Sequence, residues 1–314
     1  MPIRYVFEPT KGEIVVVSAK RASRPKVFGA KPSCPFCPGN EPLTPPTTFA
    51  LPKEKQWQVR CFENAFPIVK QAAGFHPCVK GDLLWRAPGF GRHEVIVETR
   101  QHGALLQDFD CEQLMRVVQS YKNRFAALCK RVGIQSVILF KNHGPAAGAS
   151  IEHEHAQIIG LPFIYPILEK ESGFAKSYVK KTGKCFYCEL SRGKSGTVLF
   201  KTKFFTAIRP SFARFPFEFW LIPKDCVETF LEFSQEQDED FAQCLARCAR
   251  ACFNVAKDYN IVFHNSAAGA KVHFHCEVIP RTNVWAGLEL GAGVIVDSKD
   301  EKQAAQALTA ASPR

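Results

Sequence analysis

Apolar residues recur along this chain with two different periods. In "DFDCEQLMRVVQSYKNRFAALCKRV" and "SQEQDEDFAQCLARCARACFNVAKDY" they return every three or four residues. That spacing predicts two amphipathic helices, each with one buried stripe. Cys244, Cys248 and Cys252 fall on the stripe of the second, where free cysteines pack as small hydrophobes. Shorter apolar runs predict extended segments. "HEVIVETRQH" and "FEFWLIPKDC" precede the two helices, and "SVILFKN" and "IVFHNS" follow them.

The order of these segments repeats, together with a set of metal-ligand residue types. Cys34-x-x-Cys37 opens the first series and Cys185-x-x-Cys188 the second. The extended runs end at His102 and Cys226, with Glu94 and Glu218 eight residues before them. After the helix and the strand come His153-x-His155-x-Gln157, and then His273-x-His275-x-Glu277. Chance can supply one C-x-x-C pair far more readily than both series in order. The chain is therefore read as α+β with two similar halves, residues 1–175 and 176–314. The boundary falls near residue 175, within "ILEKESGFAKSYVKKTGK".

Composition narrows the class. The chain has 314 residues, 46% hydrophobic and 23% charged, as in a globular protein able to bury a core. No apolar run approaches the ~18 residues that span a bilayer. "MPIRYVFEPTKGEIVVV" lacks the basic, apolar, small-residue order of a signal peptide, which gives a cytoplasmic expectation. A net charge of +11 suits phosphate-bearing ligands. Without a Lys/Arg run or a nucleic-acid motif it does not argue for nucleic acid. Thirteen cysteines, an odd number in such a chain, point to metal ligands or buried thiols rather than disulfides.

The ligand-type residues then sort into sets. Cys34, Cys37, His102 and His153 make a Cys2His2 set suited to tetrahedral, structural zinc. The turn in "CPFCPGN" brings both thiolates to face one ion. Cys185, Cys188, Cys226 and His273 make a Cys3His set for a second metal. His264 and His275 are substitutes within it, or part of a separate site with His273 and a carboxylate.

In a strand alternate residues share a face, so His153, His155 and Gln157 point one way, with Glu154 and Ala156 opposite. If His153 goes to zinc, His155 is left beside it. An imidazole with one nitrogen held by a backbone carbonyl presents the other as a nucleophile. The preceding loop, "NHGPAAGAS", carries Gly144 and Gly148. Its backbone can approach a phosphate and cradle it with N–H groups. Asn142, Ser150 and Gln157 can donate to phosphate oxygens as charge develops on them. The constellation predicts attack on an α-phosphorus and a nucleotidyl-histidine intermediate.

These segments resemble the galactose-1-phosphate uridylyltransferase family of the histidine triad superfamily, including its ADP-glucose phosphorylase-like relatives. The resemblance runs through "GEIVVVSAKRASRP", "CPFCPGNE", "VRCFENAFPIV", "GRHEVIVETRQH", "NHGPAAGASIEHEHAQ", "FARFPFEFWLIPKD" and "WAGLELGAGVIVD". It implies two histidine-triad-like halves, each an antiparallel sheet with helices packed on it. It implies His155 as nucleophile, Gln157 as its phosphate-binding partner, and phosphate contacts from Asn142, Gly148 and Ser150. It also implies nucleotide-phosphate contacts from Arg21 and Arg24, and a base bordered by Pro35, Phe36 and Asn64. A homodimer is implied as well. The chain departs from the family in three places. Glu154 stands where the family has proline, Cys226 where the phosphorylase branch has histidine, and "GLELGAGVIVD" lacks a hexose-binding glutamine.

The function expected is ping-pong nucleotidyl transfer from a nucleotide sugar such as UDP-glucose to a sugar-1-phosphate. The phosphorylase variant uses adenylyl transfer to inorganic phosphate. The rival readings are a histidine-triad dinucleotide hydrolase and a zinc-stabilised nucleotide- or nucleic-acid-binding protein without catalysis.

Overall fold

A computed structural model describes residues 2–25, 34–72, 74–80 and 84–310. Its strands and helices run in chain order. The first part holds β1 (Arg4–Glu8), β2 (Glu13–Val17), β3 (Thr47–Leu51), β4 (Val59–Glu63), β5 (Cys78–Lys80), β6 (Leu84–Pro88) and β7 (Arg92–Val97). There follow α1 (Cys111–Cys129), β8 (Ser136–His143), β9 (His155–Leu161) and α2 (Pro166–Thr182). The remainder is α3 (Phe186–Ser191), β10 (Gly196–Lys201), β11 (Phe205–Pro210), β12 (Phe219–Pro223), α4 (Gln235–Val255), β13 (Tyr259–His264), β14 (His275–Pro280), α5 (Gly287–Ala292) and α6 (Glu301–Ala310).

Ten strands form one sheet in the order β10-β11-β12-β14-β13-β8-β9-β7-β4-β3. Read outward from its centre, the sheet runs β8-β9-β7-β4-β3 on one side and β13-β14-β12-β11-β10 on the other. The two arms thus use matching strands in the same order. They meet where β8 pairs antiparallel with β13, Lys141 opposite Ile261 and Asn142 opposite Asn260. A separate four-stranded sheet, β2-β1-β6-β5, belongs to the N-terminal part.

The two helices expected from the 3.6-residue period are α1 and α4. Asp110 caps α1, its carboxylate accepting the Gln113 N–H at 2.7 Å. Ser234 and Gln237 form a reciprocal capping box at the start of α4. Leu114, Val118, Tyr121 and Phe125 of α1 share one apolar core with Phe241, Leu245, Cys248 and Cys252 of α4 and with the central strands. The cysteine stripe of α4 is therefore packed, as its spacing predicts.

One expectation needs correction. His153 is not in the strand, because β9 begins at His155 and His153 sits in the turn before it. Residue 175, near which the boundary between the halves is read, lies inside α2. That helix starts at Pro166 and ends at Gly183 in the left-handed conformation. Among the described residues no helix is long and apolar enough to cross a membrane.

Candidate active site

The sheet carries His155 and Gln157 on β9 to the edge of a cavity of about 340 Å³. Pro35, Phe36, Leu43, Phe62, Val95 and Ile151 give it an apolar wall. Arg21, Arg24, Asn64, Ser150, His155 and Gln157 make up its polar side. The wall suits a flat heterocycle. The polar side supplies two guanidinium groups that no carboxylate pairs among the described residues, as an anion requires.

His155 is 6% exposed. Its Nδ1 lies 2.8 Å from the carbonyl oxygen of His153. A carbonyl only accepts, so Nδ1 carries the proton and Nε2 keeps a lone pair. Burial, before any other influence, pulls the His155 pKa down to about 4, so the ring is neutral at physiological pH. The Phe36 ring meets it edge-on at 5.2 Å.

His153 is turned the other way. Its Nε2–H donates to the Thr99 carbonyl at 2.8 Å, which leaves the Nδ1 lone pair facing Cys34 and Cys37 at 3.7 and 3.6 Å. His102 Nδ1 stands 3.5 Å from the Cys37 sulfur. The ligand atoms of these four residues lie within 4.8 Å of one another and can hold a metal ion. A backbone carbonyl that orients a histidine ligand is the usual support of such a site.

A second group, Cys185, Cys188, Cys226 and His273, meets the same criterion. His273 Nδ1 lies 3.4 and 3.5 Å from the sulfurs of Cys185 and Cys188. His264 and His275 are not part of this set. With Glu171 and Glu277 they form a third group. There His264 Nδ1 is 3.0 Å from Glu171, and Glu277 is also paired with Arg214. His275 reproduces the posture of His155, its Nδ1 3.0 Å from the His273 carbonyl. The rings of Tyr187 and Trp220 stack against it at 4.6 and 4.9 Å, where His155 faces a cavity.

The small-residue loop is held from the far arm of the sheet. Asn260 donates to the Asn142 side-chain oxygen at 2.8 Å and to the Ala147 carbonyl at 2.9 Å. Asp258 accepts the Ala146 N–H. Gly144 has φ +81°, and a Cβ there would stand 2.2 Å from the Asp258 carboxylate, so both the turn and the close approach require glycine. Arg21, Arg24, Pro35, Phe36, Asn64, Ser150, His155 and Gln157 thus come together around the cavity. Asn142 and Gly148 do not line it. Asn142 is engaged with Asn260, and the Gly148 carbonyl faces Arg24 at 3.5 Å.

Some residues carry no signal in the sequence. His93 lies within hydrogen-bonding distance of both Gln157 and Asn64. Asp258 and Asn260 reach the loop only because β13 pairs with β8. Glu154 turns from the cavity, as its alternation with His155 predicts, into a buried pair with Lys141. The nearest available clue was that His93 and Val95 alternate on one face of an apolar run.

A profile of the N-terminal domain of galactose-1-phosphate uridyl transferase matches residues 7–164. The chain is 28% identical over 309 residues to an ADP-glucose phosphorylase of Arabidopsis thaliana, covering 92% of this chain and 88% of the relative. It is 29% identical over 325 residues to a galactose-1-phosphate uridylyltransferase of Thermotoga maritima, covering 98% of each. The structure matches that of the Arabidopsis thaliana ADP-glucose phosphorylase with bound ADP-glucose at TM-score 0.81. The two are 26% identical and 99% of each is covered. A uridylyltransferase structure matches at 0.82, with 26% identity and coverage of 99% of this chain and 98% of the other. These are enzymes of the nucleotidyltransferase class, and this chain is one too. It belongs to the galactose-1-phosphate uridyl transferase family.

Proposed function

We propose that the protein transfers a nucleotidyl group from a nucleotide sugar to a sugar-1-phosphate, with His155 as the covalent carrier. The observation that supports this most is the posture of His155. Its Nδ1–H is fixed on the His153 carbonyl, and its Nε2 lone pair stands at a cavity with Gln157 and two arginines. Nε2 attacks the α-phosphorus, the bond to the bridging oxygen breaks, and sugar-1-phosphate leaves with that electron pair. A second sugar-1-phosphate oxygen then attacks the same phosphorus and expels Nε2. Arg21 and Arg24 neutralise the phosphates, Gln157 and Ser150 donate to the non-bridging oxygens, and the base lies on the apolar wall between Phe36 and Asn64.

A metal in the first Cys/His group has the role of anchoring His153, and through it the carbonyl that orients His155. Zinc is our reading. Tetrahedral bonds of about 2.3 Å to sulfur and 2.0–2.1 Å to nitrogen set S and N about 3.6 Å apart. The sulfur–nitrogen separations of 3.5–3.7 Å fit that value. The second Cys/His group, at 3.4–3.5 Å, suits the same ion in a purely structural role. We read the matching arms of the sheet as two halves, 1–175 and 176–314, of one duplicated unit. A homodimer and a cytoplasmic location accompany this reading.

A second reading has one specific support, the relative that is an ADP-glucose phosphorylase. In it the same adenylyl-histidine is attacked by inorganic phosphate. Initial rates separate the alternatives. Double displacement gives parallel double-reciprocal lines with sugar-1-phosphate or with phosphate as acceptor. Intersecting lines, or a His155→Ala variant that keeps full transfer, refute the covalent route.

A further inference from the structure

One buried group beside the cavity has no part in the chemistry above. His93, on β7, is 3% exposed. It touches two of the polar side chains that line the cavity, Gln157 on the neighbouring strand and Asn64 just after β4. Three contacts fix its state. The Ile68 N–H donates to Nδ1 at 3.2 Å. A backbone N–H cannot accept, so Nδ1 is a lone pair and the proton of the neutral ring is on Nε2. A doubly protonated ring would set one N–H against another and is excluded on the same ground.

The Nε2–H then needs an acceptor. Gln157 Oε1 lies 2.9 Å away and Asn64 Nδ2 3.1 Å away. Asn64 spends its oxygen on the Phe66 N–H at 2.8 Å, so its NH2 is the end turned to His93 and it cannot accept. The acceptor is the Gln157 oxygen. A flipped Gln157 amide would leave the buried Nε2–H with no acceptor, which disfavours the flip. The Gln157 NH2 is left for the cavity, beside His155.

We propose that His93 is a positioning residue. Held as the neutral Nε2–H tautomer by the Ile68 amide, it locks the side-chain amide of Gln157 with its NH2 toward the phosphate. The inference rests on the reading of His155 as nucleophile and adds what makes Gln157 effective. An unlocked amide can present its oxygen to the phosphate oxygens and repel them. A locked one is a donor already in place when charge develops in the transition state. The same contact explains why a histidine, and not an aliphatic residue, fills this apolar run next to Val95. A side chain with both an acceptor and a donor can accept from Ile68 and donate to Gln157, which no aliphatic residue can do.

The test is single-turnover labelling of the full-length, zinc-loaded protein with UDP-glucose and with ADP-glucose, read by intact mass after alkaline quench. The variants are His93→Ala, His93→Gln, Gln157→Ala, the double His93→Ala/Gln157→Ala, and His155→Ala. His93→Ala should slow labelling about 10- to 100-fold, a part of what deleting one such donor costs. The donor concentration at half-maximal rate should shift less than about 3-fold, because a transition-state interaction is lost rather than ground-state binding. The double variant should be no slower than Gln157→Ala, within about 2-fold, since His93 acts only through Gln157. His93→Gln, whose amide can donate near the Nε2 position, should recover most of the rate. Wild-type labelling by His93→Ala, or a double variant whose loss multiplies the two single losses, overturns the inference while leaving the nucleophile reading intact. Labelling of His155→Ala at the wild-type rate overturns the nucleophile reading, and this inference with it.

Discussion

Glu154, between His153 and His155, allows the most quantitative prediction. Its side chain enters a buried cluster with Lys141 and Glu98, whose side chains are 2%, 1% and 0% exposed. Lys141 pairs with both carboxylates and reaches the His155 carbonyl at 3.5 Å. The other Glu154 oxygen takes the Leu106 N–H at 3.3 Å and faces His143 Nδ1 at 3.0 Å. Tyr121 donates to Glu98. Lys141→Met removes the cation and leaves two buried carboxylates beside each other. Removing one partner of a buried pair costs about 3–5 kcal/mol. At about 2.1 cal/mol/K per residue, 314 residues give an unfolding entropy of about 0.66 kcal/mol/K, so the melting temperature should fall by about 5–8 °C. Differential scanning calorimetry on zinc-loaded protein measures it. The triple variant Lys141→Met/Glu98→Gln/Glu154→Gln removes the stranded charges and should recover more than half of the loss. A shift below about 1 °C for Lys141→Met, or no recovery in the triple variant, refutes the argument that this cluster is held by its central cation.

Stability should also depend on pH through His93. Burial pulls its pKa in the fold to about 3 from an ordinary 6.5, so the unfolded chain takes up a proton first as pH falls. The stability this group contributes is complete above about pH 6.5 and lost progressively towards pH 3, by about 2 kcal/mol at pH 5. Urea unfolding of wild type and His93→Gln at pH 7 and pH 5 should show that difference closing in the variant, and equal losses in both refute it. Gly144→Ala adds a left-handed alanine and a clash with Asp258. It should cost about 1–3 kcal/mol, seen as slower labelling of His155, and unchanged rate and stability would contradict the placement of this loop. Cys37→Ser should lose about one equivalent of zinc by elemental analysis together with a lower melting temperature, and unchanged zinc content would show that the first group is not the site.

Much of this was legible because the information is local. Period alone gives α1 and α4, and Cys244, Cys248 and Cys252 sit in the core because every fourth helical residue faces the same way. The C-x-x-C pairs and paired histidines mark the groups that can hold a metal ion, because a tetrahedral ion needs particular atoms on tight turns. Pairing between distant strands is what the sequence conceals. His93 acts on Gln157 because β7 pairs with β9, Val95 lying opposite Gln157, a register that a single sequence does not specify. Asn260 meets Asn142 across the β8–β13 seam for the same reason. His264 and His275 stand apart from the cysteine set and group instead with Glu277 and with Glu171 on α2. Nothing in the spacing of the segment near residue 175 reveals that contact. Lys141 reads as an ordinary lysine in "SVILFKN" until Glu98 and Glu154 are placed around it.

In the proposed reaction His155 carries the nucleotidyl group. The most direct measurement is the intact mass of the protein after incubation with UDP-glucose or ADP-glucose without acceptor, quenched in alkali to preserve a phosphoramidate. A mass gain equal to UMP or AMP less one water is expected in the wild type and none in His155→Ala, and the donor that labels names the base. No adduct with either donor on zinc-loaded protein, or the same adduct in His155→Ala, contradicts that role of His155.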